Sequence, residues 1–339
     1  MIRNKIGLKV SLAVMTTAAL AATLSGCSAA SDTTASAAVK TCYSGYTLTN
    51  PYFAGMIKGL EDGAKEHGFD FVQTNSNGDP QVQASDIDSL VSQGCNYIII
   101  SPAQSDALIP SIEAAAKAGV VPIAISDTIP SDKIKFTVAM DHVTIGEQSA
   151  QGIVDFLTAK NGAPKGNIVE MQGIAGSPAG ADRTKGFNNI ISKYPDIKVV
   201  ATADGGFDTD KTFAAFSTIL QAHPEVEAVM TANDPEALGV MKALEAAGLQ
   251  VPVGEAGHIF ITGNDAPAPT IAAIRANQQD MTVSSNPIGI GKLVMDSIAD
   301  LQAGKDVTGF VEWKGLIITP SNIDSDEVKA YGIWADQVG

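Results

Sequence analysis

Nucleophiles, metal ligands and phosphate cradles are the residue groupings by which a chain signals chemistry, and this chain holds few of them. Its four His, at 67, 142, 223 and 258, are scattered, with no HExxH or HxxxH to bring two onto one helix face. No GxSxG presents a serine at a strand-to-helix turn. No GxGxxG follows a strand, and no GxxxxGK[ST] occurs. Gly289-Ile290-Gly291-Lys292 is a fragment of either motif without the third Gly or the hydroxyl residue, and it reads as a helix start packed closely against its sheet. The expectation is a chain that is not an enzyme and carries neither cofactor nor metal.

The three Cys divide differently. Cys27 closes the run Leu24-Ser25-Gly26-Cys27, behind a basic start (Arg3, Lys5, Lys9) and an apolar stretch over 12–24. That stretch is short and broken by Thr, which suits a secretory signal over 1–26 better than a membrane span. The four residues look like a lipobox, where bacterial lipoproteins are cleaved and acylated on the Cys, and more than one acyl chain there gives stable anchoring. The alternative is an ordinary signal peptide cut at Ser28-Ala29-Ala30, with Cys27 incidental. Residues 27–39 then form the acylated Cys and a small, polar tether. Cys42 and Cys95 stand in no CxxC or Cys/His spacing, near the starts of apolar runs that could be neighbouring strands. Two buried free thiols are expected, because a disulfide demands its own geometry, although export permits a bridge.

The elements that must position any site alternate regularly. Apolar runs at 41–46, 70–74, 96–101, 121–126 and 136–140 are separated by helical patterns at 52–67, 82–93 and 105–118. In the second helix Val82, Ile87, Leu90 and Val91 suit one buried face. The grammar restarts with strands at 167–171, 197–202, 226–231 and 258–263 and helices at about 179–193, 209–222 and 235–247. Near-continuous apolar strands separated by helices indicate parallel sheets covered on both faces. Two such programmes, in a chain long for one core, predict an α/β protein of two doubly wound lobes. The cleft between them should face the C-terminal ends of the strands. The formal charge is −15, and it becomes three units more negative once Arg3, Lys5 and Lys9 leave. So acidic a chain repels nucleic acid and anionic headgroups, leaving the lipid as its membrane link.

Polar and aromatic residues cluster where those strands end. Thr49-Asn50-Pro51-Tyr52-Phe53 follows the first strand, with Pro at a helix start. Further on come Ile123-Ala124-Ile125-Ser126-Asp127, Gln172-Gly173-Ile174-Ala175-Gly176 leading to Arg183, Phe207-Asp208, Thr231-Ala232-Asn233-Asp234 and Gly263-Asn264-Asp265. In order and spacing over about 41–305, these resemble the bacterial ribose-type periplasmic sugar-binding proteins, the type I solute-binding proteins of ABC importers. The resemblance implies a three-crossover hinge near 140–143, 284–287 and 318–320. It implies one lobe from 40–141 plus 286–318 and another from 142–285 plus 319–339. It carries ligand-binding roles onto Asn50, Tyr52, Phe53, Asp127, Arg183, Phe207, Asn233 and Asp265, with Ser285 at the place of a Gln.

Those residue types suit a sugar. Phe53 and Phe207 offer flat faces to a ring, carboxylates accept from paired hydroxyls, and Arg donates through a rigid fork. Taken singly, Asp127 or Asn233 could be a helix cap, Arg183 a surface cation and Asp141 a hinge residue. Thr128 stands where the ribose type has Arg, and Ser284-Ser285-Asn286 where it has Gln, so two long arms are shortened. A hexose, cyclitol or linear sugar alcohol could use the extra room. The implied function is an exported, lipid-anchored monomer on the outer face of the cell membrane or in the periplasm. It would deliver a sugar or polyol to an ABC permease and, through it, the ATPase; a sugar-sensing receptor reporting to a membrane sensor is the alternative. The stretch 326–337, with Tyr331 and Trp334, lies beyond the resemblance and has no assigned role.

Overall fold

The computed structural model describes residues 38–48, 50–331 and 334. The expected signal segment over 1–26 and Cys27 lie outside the described residues. Within them, β1 (Lys40–Gly45), α1 (Pro51–His67), β2 (Asp70–Asn75), α2 (Pro80–Ser92), β3 (Tyr97–Ile100), α3 (Ile109–Lys117), β4 (Val121–Ser126) and β5 (Phe136–Ala139) make the first run. The second is α4 (His142–Asn161), β6 (Gly166–Gln172), α5 (Pro178–Ile191), β7 (Ile197–Asp204), α6 (Thr209–Ala222), β8 (Ala228–Thr231), α7 (Asp234–Ala246), β9 (Phe260–Ile261), β10 (Asn264–Asp265), α8 (Ala268–Arg275) and β11 (Thr282–Ser284). The chain then continues with α9 (Pro287–Gln302), β12 (Gly309–Glu312), β13 (Leu316–Ile318) and α10 (Asp326–Tyr331).

The first sheet is wholly parallel in the order β12-β5-β4-β3-β1-β2. Its central strand β3 is fully buried, as the run Tyr97-Ile98-Ile99-Ile100 requires with helices on both faces. The second lobe carries β7-β6-β8-β9 and β10-β11-β13. These meet across residues 260–265, where Thr262 N–H donates to the Val229 carbonyl and Val283 N–H to that of Gly263. The last strand, β13, runs antiparallel to β11, against the parallel trend. Because β12 pairs with β5 and β13 with β11, the third passage between lobes lies at 313–315, earlier than the expected 318–320.

Three other expectations are corrected. Cys42 and Cys95 are joined in a disulfide, not free: parallel pairing of β1 with β3 sets their Cα atoms 6.0 Å apart, within bridging reach. Val82 is exposed, because the face of α2 turned to the sheet runs through Gln83, Ile87 and Leu90, which are buried. The Gly289–Lys292 fragment does open a helix, and that helix covers β4 and β5, but the close approach through Gly291 is to another helix and not to the sheet. Where α9 crosses α1, a Cβ on Gly291 would lie 2.4 Å from the Met56 carbonyl and one on Gly59 2.1 Å from that of Ile288. The second lobe repeats the device where α4 crosses α5. There a Cβ on Gly146 would fall 2.0 Å from the Arg183 carbonyl, and one on Gly186 within touching distance of that of Val143. Each lobe thus brings two helices to backbone contact through a pair of glycines.

Candidate functional site

A cavity of about 570 Å³ lies at the C-terminal ends of the strands, between the two lobes. All nine residues singled out in the sequence line it: Asn50, Tyr52, Phe53, Asp127, Arg183, Phe207, Asn233, Asp265 and Ser285. Asn50 caps α1, its side chain accepting from Tyr52 N–H at 2.9 Å, and Pro51 starts the helix with φ already set. That cap delivers Tyr52 and Phe53 into the cleft, where Phe53 stands edge-on to both Tyr46 and Tyr52, ring centroids 5.3 Å apart in each case. Tyr52 OH donates to Ser126 Oγ at 3.2 Å. Burial raises the Tyr52 hydroxyl above its usual range and keeps it a neutral donor.

Asp127 follows β4 and is no cap. Burial pushes its carboxyl up to about 6, against the opposing pull of Arg183 and a backbone donor at Ala179. Arg183 is 7% exposed, which removes the surface-cation reading. Its Nη1 donates to the Ala232 carbonyl at 2.7 Å, its Nη2 lies 3.3 Å from His142 Nδ1, and its guanidinium stands 5.9 Å from the Phe207 ring centroid. Asn233 is both things weighed for it: its side chain caps α7 by accepting from Glu236 N–H at 3.2 Å, and it faces the cavity. Asp265, held at φ 110°, accepts from Asn264 Nδ2. Burial pushes it up to about 7, with Arg183 opposing and Asp234 adding to the rise. Ser285 Oγ, Asp127 Oδ1 and Arg183 Nε are buried without a hydrogen-bond partner among the described residues.

Sequence reasoning missed the residues behind these. His142, at the first passage between lobes, has Arg183 on Nδ1 and the Ser126 carbonyl 3.1 Å from Nε2. An arginine only donates and a carbonyl only accepts, so the ring is the neutral tautomer protonated on Nε2. Burial first, and Arg183 second, push its pKa down to about 3. Glu236 accepts from Phe207 N–H and Ala232 N–H, at 2.9 and 2.8 Å, and so holds two of the loops that line the cleft. Asp234 accepts from Gln279, Thr282 and the Ala266 N–H and fixes the turn that carries Asp265. The one signal for His142 was its place beside Asp141 at the crossover. Asp141 itself caps α4, accepting from Val143 and Thr144, and stays outside the main cavity.

Thr128 turns away from that cavity and lines a second of about 380 Å³, which shares Ser126, Asp127, Met140, His142 and Pro178 with the first. The shortened arm leaves room beside Asp127. Arg183 is the one Lys or Arg among the described lining residues, where Asp127, Asp208 and Asp265 supply carboxyl groups. Hydroxyls that donate to carboxylates and accept from one fork, on a body flat enough for two rings, match such a lining.

Comparison with known proteins agrees. Residues 42–306 match the family model of the periplasmic binding protein domain. The chain is 32% identical to the ribose import binding protein of Bacillus subtilis over 261 residues, 77% of this chain and 81% of that protein. It is 30% identical to the D-allose-binding periplasmic protein of Escherichia coli over 264 residues, 74% and 82% of the two. A solute-binding protein of an ABC transporter from Mycobacterium smegmatis, solved with bound glycerol, superposes with a TM-score of 0.76 at 26% identity, covering 89% of this chain and 97% of that one. Two parallel-sheet lobes around a polar and aromatic cleft, a family model spanning most of the chain and relatives matched over most of their length place this protein in the periplasmic binding protein domain family.

Proposed function

We propose that this protein captures a neutral sugar or sugar alcohol between its lobes, outside the cytoplasm, and delivers it to an ABC-type importer while held on the membrane through acylated Cys27. The observation that carries the reading is convergence: nine side chains from separate strand ends and helix starts of both lobes line one cavity. Its lining favours an uncharged ligand, since it holds one guanidinium and three carboxyl groups, and an added anion would be repelled. The relatives named for ribose and D-allose support import of a sugar. The space beside Thr128 favours a ligand larger than ribose. His142 is no general base here, because both its nitrogens are committed.

A thermal-shift screen against pentoses, hexoses, cyclitols and linear polyols tests the reading, since a ligand that binds only the folded form raises Tm. At least one neutral member should raise it, and uronic acids should not. The sign with pH follows from the carboxylates. Ligand hydroxyls donate to ionised Asp265 and Asp127, so affinity is full above their values of about 7 and about 6 and falls as pH drops through them. The shift should therefore shrink between pH 8 and pH 5. No response from any neutral compound at pH 8 would sink the proposal.

A further inference from the structure

We infer that Tyr331 and Trp334 are positioning residues of the cleft, forming a C-terminal strut that holds the Asp265 turn of one lobe against the first helix of the other. The strut is rooted in the second lobe, where Val328 of α10 is buried in a cluster with Ile271, Ile274, Ile318 and Ile323. From there it reaches across. Trp334 is 1% exposed, and its Nε1 donates to the Asp265 carbonyl at 2.6 Å. Its ring lies on Gly55 of α1: a Cβ added there would stand 3.1 and 3.2 Å from two ring carbons, and 2.8 Å from Pro287. Gly55 is two residues beyond Phe53, so one indole touches both the helix that presents the aromatic wall and the turn that presents a carboxylate.

Tyr331 closes the same frame at the hinge. Its hydroxyl lies 3.1 Å from the carbonyls of both Ser284 and Lys314 and accepts from Trp313 Nε1 at 3.1 Å. Its own carbonyl accepts from Asn286 Nδ2 at 2.8 Å. Ser284 to Asn286 is the second passage between lobes and Trp313 to Lys314 begins the third, so this one side chain fastens the two together. Asn286 at φ 39°, Asp265 at φ 110° and Ala266 at φ 59° are all in the left-handed region, which ordinary side chains occupy only when the surroundings hold them there. Asp234 grips that turn from one side through the Ala266 N–H, and Trp334 grips it from the other. Neither Tyr331 nor Trp334 lines the cavity, so any effect on it passes through the residues they hold.

The inference rests on the cleft being the binding site, but its test needs no ligand. Spin labels on Glu61→Cys and Glu245→Cys, exposed positions on α1 and α7, report the distance between lobes once Cys27→Ser removes the remaining thiol. Electron–electron distance measurement on the full chain should give one narrow distribution. Trp334→Phe keeps a ring but loses the N–H, and Tyr331→Phe loses one oxygen. Each should leave the thermal transition cooperative while broadening the distribution and extending it to longer distances. A residue that merely fills space would tolerate either change. Distributions matching the parent in folded variants would overturn the inference. If Trp334→Phe fails to fold, Tyr331→Phe decides alone.

Discussion

Arg183 meets a carbonyl, an imidazole and an aromatic face, and each fixes a different part of its fork. Its third nitrogen, Nε, is buried without a partner among the described residues, a costly state that a ligand hydroxyl would relieve. Arg183→Ala should therefore weaken the best compound of the screen by about 1.5–3 kcal/mol, the worth of a hydrogen bond to a charged group. That is roughly ten- to a hundredfold in Kd by calorimetric titration. Parent-like affinity would remove Arg183 from the site. Arg183→Lys should rescue little, since a single ammonium cannot span the Ala232 carbonyl and the His142 ring at once. At this scale the sequence was legible for side chains that reach the cavity, because they stand at strand ends in a recurring pattern. His142, Asp234 and Glu236 were not, because each acts by gripping another residue's backbone or side chain, and that relation exists only after the lobes have formed.

Helices and strands were legible in proportion to their length. The long apolar runs and amphipathic helices stand close to where periodicity put them, whereas β10, β11 and β13 have two or three residues each, too few to show any alternation. The glycine pairs were seen in part and misread, since one sequence does not say whether a small residue faces a sheet or a second helix. Their contact distances make them exacting. Gly146 abuts the Arg183 carbonyl, so Gly146→Ala must push α5 away from α4 and carry the Arg183 side chain with it. Overpacking of this kind costs about 1–3 kcal/mol. Gly146→Ala should lower the unfolding free energy measured by urea titration by that amount and also weaken ligand binding. Gly59→Ala, in the other lobe, should lower stability comparably through α9. A Gly146→Ala protein with parent stability and affinity would show that the helices separate without cost.

For the whole molecule, two lobes were readable because the β/α grammar visibly restarts, while the position of the last passage was not, being decided by the pairing of a three-residue strand. The strong negative charge gives the chain no electrostatic hold on an anionic membrane, so attachment should depend on Cys27 alone. Cys27→Ala should move the protein from the membrane fraction to the soluble one with its thermal transition unchanged, and retention would place the anchor elsewhere. The order of the strands also carries a consequence for how such a chain is made. The first sheet takes its edge strand, β12, from residues 309–312, and α1 takes its partner, α9, from 287–302. A chain emerging from its N-terminus therefore presents Met56 and Leu60, both fully buried in the finished protein, long before the segment that covers them arrives. The second lobe waits too, for β13 at 316–318. If the chain leaves the cytoplasm N-terminus first, neither lobe would be complete until residues 309–318 are delivered, and the Cys42–Cys95 bond would be free to close while the rest is still in transit.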